Sequence, residues 1–500
     1  MSYSRGPERT QTELLPASIE EYISSNAAVR FIDAFVEELD LISLGLEKSQ
    51  GRDVGRPGYH PGDMLKLFLY GYLNRIRSSR RLEAETHRNL EVMWLLRRMQ
   101  PDFKTISDFR CKHHTAFKSV FKQFNLLCRE LGLFGAELVA IDGSKFKAVN
   151  HPDKYVSVEG LKKLESTIES RIEGYLQALD QADQEAEGSA VVEQKQELQS
   201  KIDWWRSKQK QARAERSRLE EAGETSRGLT DSDARPQRRG NDIEVGYNVQ
   251  LAVDSKHHLI VAQDVVQDAN DRGQLSAMAE AAQNALQDTD AGQELGAGQE
   301  ADAPAALLAV VADAGYHEAG QLEACEQKQI IAYVANQGTT SGQGAHGQPI
   351  FPKEAFEYDA ATDSYRCPNG QTLPFSYESP SRSKTVRHYK HPSVCRGCEL
   401  KAQCTSGQFR QLTRLPNEDV VERTAARLEA HPEMMPRRRD IVEHVYGTMR
   451  LWGYDDFLLR GLGKVRAEFS LSALAYNMRR VLNLFEVSEL LPHMKMVMSR

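Results

Sequence analysis

Glu137-Leu138-Val139-Ala140-Ile141-Asp142-Gly143-Ser144 contains four consecutive apolar residues that stop at an acid and a glycine. Such a run fits a strand buried on both faces, and the Asp-Gly step marks where it leaves the core. A second run of the same build, Leu307-Leu308-Ala309-Val310-Val311-Ala312, ends at Asp313-Ala314-Gly315-Tyr316. Two buried strands that each end in an Asp predict a sheet carrying two carboxylates at one edge, where open α/β sheets place their ligands. Two such acids suit one or two Mg2+ ions, with water filling the remaining octahedral positions.

Outward from these runs, the chain alternates strand and helix. Tyr247–Val253 and Leu259–Val266 read as a β-hairpin joined by Asp254–His258. A helix over Gly273–Leu286, a Gly/Ala/Asp/Gln-rich loop over Asp288–Pro304 expected to be mobile, and a further strand at Gln329–Val334 complete this part. Between the first two strands, Leu161, Leu164, Ile168, Ile172, Tyr175 and Leu179 step by threes and fours. Gly188-Ser189 breaks that seam, and Leu198, Ile202, Trp205, Ala212 and Leu219 resume it, which predicts a helical hairpin. With the insert excised, the expected class is α/β, a mixed sheet flanked by helices.

The N-terminal part is helical in pattern. After the loop Arg56–Gly62, Asp63 is expected to cap a helix through Leu73, with further helices near Ser79–Met99 and Thr105–Leu131, the last opened by Thr105 and Asp108. Residues 51–130 carry 16 Lys or Arg against eight Asp or Glu. Arg77, Arg80 and Arg81 stand in this cluster, which reads equally as a DNA-binding surface or as a solvated helical face. The expected organisation is a helical DNA-binding domain over 1–132 and a sheet core over 133–156 and 229–345. The hairpin insertion occupies 157–228, a basic Cys-bearing insertion 346–415, and C-terminal helices 416–500.

A third acid is expected on a helix packed against the sheet edge. In Pro436-Arg437-Arg438-Arg439-Asp440-Ile441-Val442-Glu443, Arg439 and Glu443 are four apart, and Arg450 lies seven beyond Glu443. One stripe then presents Arg, Glu, Arg, a metal-ligating acid between two phosphate clamps. Cys367, Cys395, Cys398 and Cys404, with one C-x2-C step, fit a structural zinc site or buried reduced thiols.

Bulk properties set the bounds. The 500 residues are 40% hydrophobic and 27% charged, as in a soluble globular protein, with a net charge of −7. No apolar run approaches the roughly 18 residues of a membrane span, and the N-terminus lacks a secretory layout. Seven scattered cysteines do not make a disulfide framework, so a cytoplasmic chain with reduced thiols is expected. The negative total hides basic stretches, 381–412 with seven Lys or Arg and one Glu among them, that suit a phosphate backbone.

Strand-Asp, strand-Asp, helix-Glu in this order resembles the RNase H-like DDE recombinases. The last segment is similar to the Y-x2-R-x3-E-x6-K signature of insertion-sequence transposases of the IS-four-like kind. Arg439 matches the Arg and Glu443 the Glu; Arg450 stands for the Lys, and Pro436 occupies the Tyr position. Further similarities lie at Arg56–Arg81, Ala140–Phe146, Val245–Asp254, Val311–Tyr316, Phe457–Val465 and the LAYNMRR of 474–480. The resemblance implies an RNase H-like core whose triad Asp142, Asp313 and Glu443 holds two Mg2+ or Mn2+ ions. It also implies cleavage at transposon ends followed by strand transfer to target DNA, by at least a homodimer in the synaptic complex. An RNase H-like nuclease without strand transfer, and a non-catalytic DNA-binding derivative, stay open as alternatives.

Overall fold

The computed structural model describes residues 18–46, 58–151, 154–183, 189–239, 242–287, 307–336, 350–381 and 384–498. The loop expected over Asp288–Pro304, the Arg56-Pro57 step, Gly188 and the start of the Cys-bearing insertion lie outside the described residues.

Six helices come first: α1 (Ala28–Glu37), α2 (Pro61–Leu73), α3 (Ser79–Arg88), α4 (Leu90–Leu95), α5 (Phe103–Lys112) and α6 (His114–Glu130). Their ends correct the expected boundaries. His60, not Asp63, caps α2, because Pro61 supplies the fixed φ of a first helical position and moves the start upstream. Asn89 splits the expected Ser79–Met99 helix by accepting from the amides of Glu91 and Val92. Asp102, not Thr105, caps α5. Every residue of α2 is buried, so this helix is the axis of the N-terminal part rather than a surface element.

The sheet is built from β1 (Leu138–Lys147), β4 (Arg235–Arg239), β5 (Asp242–Asp254), β6 (Ile260–Val266), β7 (Ala309–Ala312) and β8 (Ile331–Val334). β5 pairs antiparallel with β1 on one side and with β4 and β6 on the other, while β1, β7 and β8 run parallel. Between β1 and β4 a short pair, β2 (Tyr155–Ser157) and β3 (Ser226–Gly228), forms the base of the insertion. Its two long helices, α7 (Val158–Asp183) and α8 (Ser189–Glu221), pack along each other with Ile168, Ile172 and Ile202 between them. The expected hairpin is what forms there.

Two helices, α9 (Leu275–Gln287) and α10 (Ala319–Gln327), cover one face of the sheet. A second sheet follows, β9 (Glu357–Asp359), β10 (Ser364–Arg366), β11 (Thr372–Ser381), β12 (Lys384–Lys390) and β13 (Gln411–Arg414), with α11 (Pro392–Arg396) and α12 (Lys401–Cys404) between its last two strands. The chain ends in α13 (Glu418–Ala430), α14 (Met434–Leu451), α15 (Leu462–Leu484) and α16 (Val487–Met498).

Side-chain alternation along β1 sorts the core into two layers. Leu138 and Ala140 join the apolar cluster that contains α14, α15 and the N-terminal helices; Val139 and Ile141 join the cluster with α9 and α10. α15 packs against α2, α6 and β6, so the N-terminal helices share one core with the sheet. Among the described residues no helix is long and apolar enough to cross a membrane.

Candidate active site

The period of two that builds the core also aims the acids. Asp142 follows Leu138 and Ala140 by even steps, and Asp313 follows Val311 by two; all three of those apolar residues lie in the α14 layer. Both carboxylates are therefore directed to the face that α14 covers. β1 continues to Lys147, so Asp142 is not at a strand end as expected; its parallel pairing with β7, however, stops at Ile141↔Ala312. Asp142 and Asp313 are the next residues in that register, side by side where the two strands part.

α14 is pinned across this edge. The Tyr446 hydroxyl donates to the carbonyls of Asp142 at 2.8 Å and Val249 at 3.0 Å. Arg450 Nη2 donates to Ser144 Oγ at 2.6 Å. Arg438 lies inward: Nη1 is 3.2 Å from Asp142 Oδ2 and Nη2 is 3.3 Å from Glu443 Oε1. One guanidinium thus bridges the strand acid and the helix acid. Asp142 and Arg438 side chains are 17% and 11% exposed, whereas that of Glu443 is 55% exposed, at the mouth of the site.

A fourth carboxylate completes the cluster. Asp271 Oδ1 accepts from Asn248 Nδ2 at 2.7 Å, Gln250 Nε2 at 2.8 Å and Lys145 Nζ at 3.3 Å. Asp313 Oδ1 accepts from the Gly315 amide at 2.8 Å and so caps the 3-10 turn Ala314–Tyr316 as well. Burial pushes the Asp142 carboxyl up to about 6; Arg438 and the Gly143 amide pull the other way, and Asp313 and Asp271 add to the rise. Lys145 is lowered by burial, against the pull of Asp271.

Clustered oxygen donors that repel one another fit a hard divalent cation such as Mg2+. Among the described residues no three His, Cys, Asp or Glu side chains already stand in a metal-holding arrangement. The guanidinium of Arg438 lies between Asp142 and Glu443.

Several expected residues fall elsewhere. Arg439 is exposed, and the arginine that reaches the acids is its neighbour. The apolar stripe Ile441, Val442, Val445, Met449, continued one turn back, falls on 438, and that was the available signal. Arg450 is held by Ser144. Arg77 turns inward, donating to the carbonyls of Asp456 at 2.6 Å and of Gly453, and lying 3.5 Å from Glu468. Arg80 and Arg81 are exposed on α3, Arg80 over the Phe103 ring at 5.1 Å. Asp271 carries no periodic signal in the sequence.

The Cys-bearing segment brings its thiols together in the second sheet. Cys367 follows β10, Cys395 lies in α11, Cys398 just beyond it and Cys404 at the end of α12. All are free and partly buried.

Two known families match the chain. Residues 17–112 match one described as Transposase domain (DUF772), and residues 366–482 match one described as Transposase DDE domain. The second match takes in Arg438 and Glu443; Asp142 and Asp313 lie outside both. No curated protein and no solved structure matches the chain.

Proposed function

Because the chain belongs to the insertion-sequence DDE transposases, we propose that it cleaves DNA at the ends of its element and joins the freed 3′ ends to target DNA. Asp142, Asp313 and Glu443 are the triad in this reading. The observation that carries it is the meeting of the strand carboxylate of Asp142 and the helix carboxylate of Glu443 on the one guanidinium of Arg438, with Asp313 next to Asp142 where β1 and β7 part.

The strand order supports an RNase H-like core: three antiparallel strands (β6, β5, β1) followed by two parallel ones (β7, β8), with the acids where β1 and β7 part. The R-x3-E-x6-R spacing of Arg439, Glu443 and Arg450 supports an IS-four-like assignment. Asp142, Asp313 and Glu443 would hold Mg2+ or Mn2+, two ions in all. Such ions, when bound, polarise the scissile phosphate and activate the attacking oxygen. The chain's own contribution is placement. Tyr446 fixes the backbone of Asp142, Asp271 holds Lys145, Asn248 and Gln250 in a charged floor, and Arg438 and Arg450 offer guanidinium forks suited to phosphate oxygens. Two element ends act together, so the synaptic complex is a homodimer or larger.

The test is a DNA assay with the element's own ends, supercoiled target and Mg2+ or Mn2+. Wild type is expected to yield both cleaved ends and joined products. Asp142→Asn, Asp313→Asn and Glu443→Gln should each remove both while leaving the fold intact. Cleavage without joined products would reassign the chain as a nuclease. No cleavage by wild type would make it a DNA-binding derivative, and nicking that survives Asp142→Asn would refute the site.

A further inference from the structure

The second sheet has little to hold it. Its buried apolar cluster is Phe356, Tyr365, Leu373, Tyr389 and Leu412, with Cys367, Cys395 and Cys404 among the partly buried residues packed against it. A core of that size is marginal by itself, and small units of this kind use a covalent or metal staple. α11 has five residues and α12 four, too short for either helix to be stable by itself.

Three separate segments deliver four thiols to this place. In Cys367-Pro368-Asn369-Gly370-Gln371 the chain folds back. Gly370, at φ +70°, donates to the Cys367 carbonyl at 2.8 Å, and Cys367 donates to the Gln371 carbonyl at 2.8 Å. The turn aims the Gln371 amide at Cys367 Sγ, 3.3 Å away. Amide donors directed at a sulfur stabilise its thiolate and fix its orientation, as outer-shell partners of metal ligands do. Asn369 Nδ2 from the same turn reaches Cys398 Sγ at 3.5 Å, which ties the first segment to the C-x2-C step. Cys404 is within electrostatic reach of Cys395, Cys367 and Cys398. Arg410 Nη1 holds the Cys404 carbonyl at 3.0 Å and brings a positive charge beside the thiols.

We propose that Cys367, Cys395, Cys398 and Cys404 bind one Zn2+ as a structural site that staples α11 and α12 to the second sheet. Four soft sulfur donors select zinc over the hard cations that suit the carboxylates of the first sheet. No three of these thiols yet stand in a metal-holding arrangement, so the sulfurs draw in around the ion on binding. The staple matters because β13 leads directly into α13 and α14, the helix of Glu443.

The experiment is metal analysis of the full-length chain, purified without chelator, together with a count of titratable thiols. Wild type is expected to hold about one zinc per chain. Cys398→Ser and Cys404→Ser should fall to background, while Cys111→Ser, in α5, keeps the metal. Should the cysteine variants fail to fold, chelator-stripped wild type is titrated with Co2+. A thiolate-to-cobalt charge-transfer band with tetrahedral ligand-field bands supports the site, and its absence overturns the proposal. A folded, metal-free wild type, or zinc retained by both Cys398→Ser and Cys404→Ser, overturns it equally.

Discussion

Arg438 and Asp142 meet at 3.2 Å between Nη1 and Oδ2, yet Nη1 is buried without a well-formed hydrogen bond. The pair is held by charge and packing rather than by aligned donors, and the same guanidinium leans on Glu443 through Nη2. A buried carboxylate needs a positive partner or it must take up a proton. Arg438 is that partner, and it stands between Asp142 and Glu443.

Arg438→Gln should therefore separate metal binding from catalysis. Without the guanidinium, Mn2+ is expected to bind the DNA-free protein several-fold more tightly, read by electron paramagnetic resonance or calorimetry. Joined products should fall in the same variant if the freed arginine contacts DNA phosphate. Unchanged or weakened Mn2+ binding in a folded Arg438→Gln protein would end the idea that this side chain stands in for the ion.

The pH dependence follows from Asp142. Its carboxyl is pushed up to about 6, from 3.8 in an ordinary setting, mainly by burial. A raised carboxyl favours folding while it is protonated in the folded chain: the benefit is complete below 3.8 and lost as pH rises through 6. Asp142→Asn removes this titration. Relative to wild type, the variant should gain about 1–2 kcal/mol between pH 5 and pH 8, measured by urea unfolding in the absence of metal. A difference that stays flat across that window would contradict the burial argument.

The sheet and the helical hairpin were legible because they rest on apolar periodicity, which burial imposes directly on the sequence. The apolar runs before Asp142 and Asp313, the hairpin of β5 and β6, and the helix with Glu443 all carry that imprint. Helix starts were less legible, since His60 and Asp102 take capping roles expected of Asp63 and Thr105, and Asn89 opens a helix where a continuous one is expected. Within the site, spacing to Glu443 and the R-x3-E signature both point to Arg439, whereas the choice between 438 and 439 is made by which face α14 buries. Asp271 is held by side chains from β1 and β5, an arrangement that no local pattern encodes.

Gly143 tests how tightly the acid cluster is packed. A Cβ there would lie 2.5 Å from both Asp271 Oδ1 and Gln250 Nε2, two atoms already hydrogen-bonded to each other at 2.8 Å. Gly143→Ala is expected to cost about 1–3 kcal/mol, the usual cost of overpacking, and to lower cleavage by displacing Asp271. Gly447→Ala, on the exposed side of α14 with nothing within 4 Å, is the control. It should be neutral or stabilise by about 0.5–1 kcal/mol, because glycine is a poor helix former. Equal thermal shifts in the two variants would show that the cluster has slack.

Arg77 and the pair Arg80 and Arg81 sit close in sequence but should behave oppositely. Arg77 donates to backbone carbonyls and faces Glu468, whose carboxylate is 1% exposed and accepts from the amides of Leu458 and Leu459 at 2.9–3.0 Å. Burial raises the Glu468 carboxyl, while Arg110 and Arg77 oppose the shift. Arg77→Ala leaves that acid short of a counter-charge, and a loss of about 2–4 kcal/mol is expected, consistent with breaking a buried pair. DNA affinity at a temperature where the variant remains folded should change little. The double variant Arg80→Ala with Arg81→Ala removes two exposed charges from α3 and should leave the melting temperature unchanged. If these arginines neutralise phosphates, the slope of log affinity against log salt falls by about 0.9 for each phosphate left without its counter-charge. Fluorescence anisotropy across a salt series, beside thermal melts, distinguishes the two roles. A salt slope lowered by Arg77→Ala and untouched by the double variant would reverse the assignment and place DNA against the segment that precedes α3.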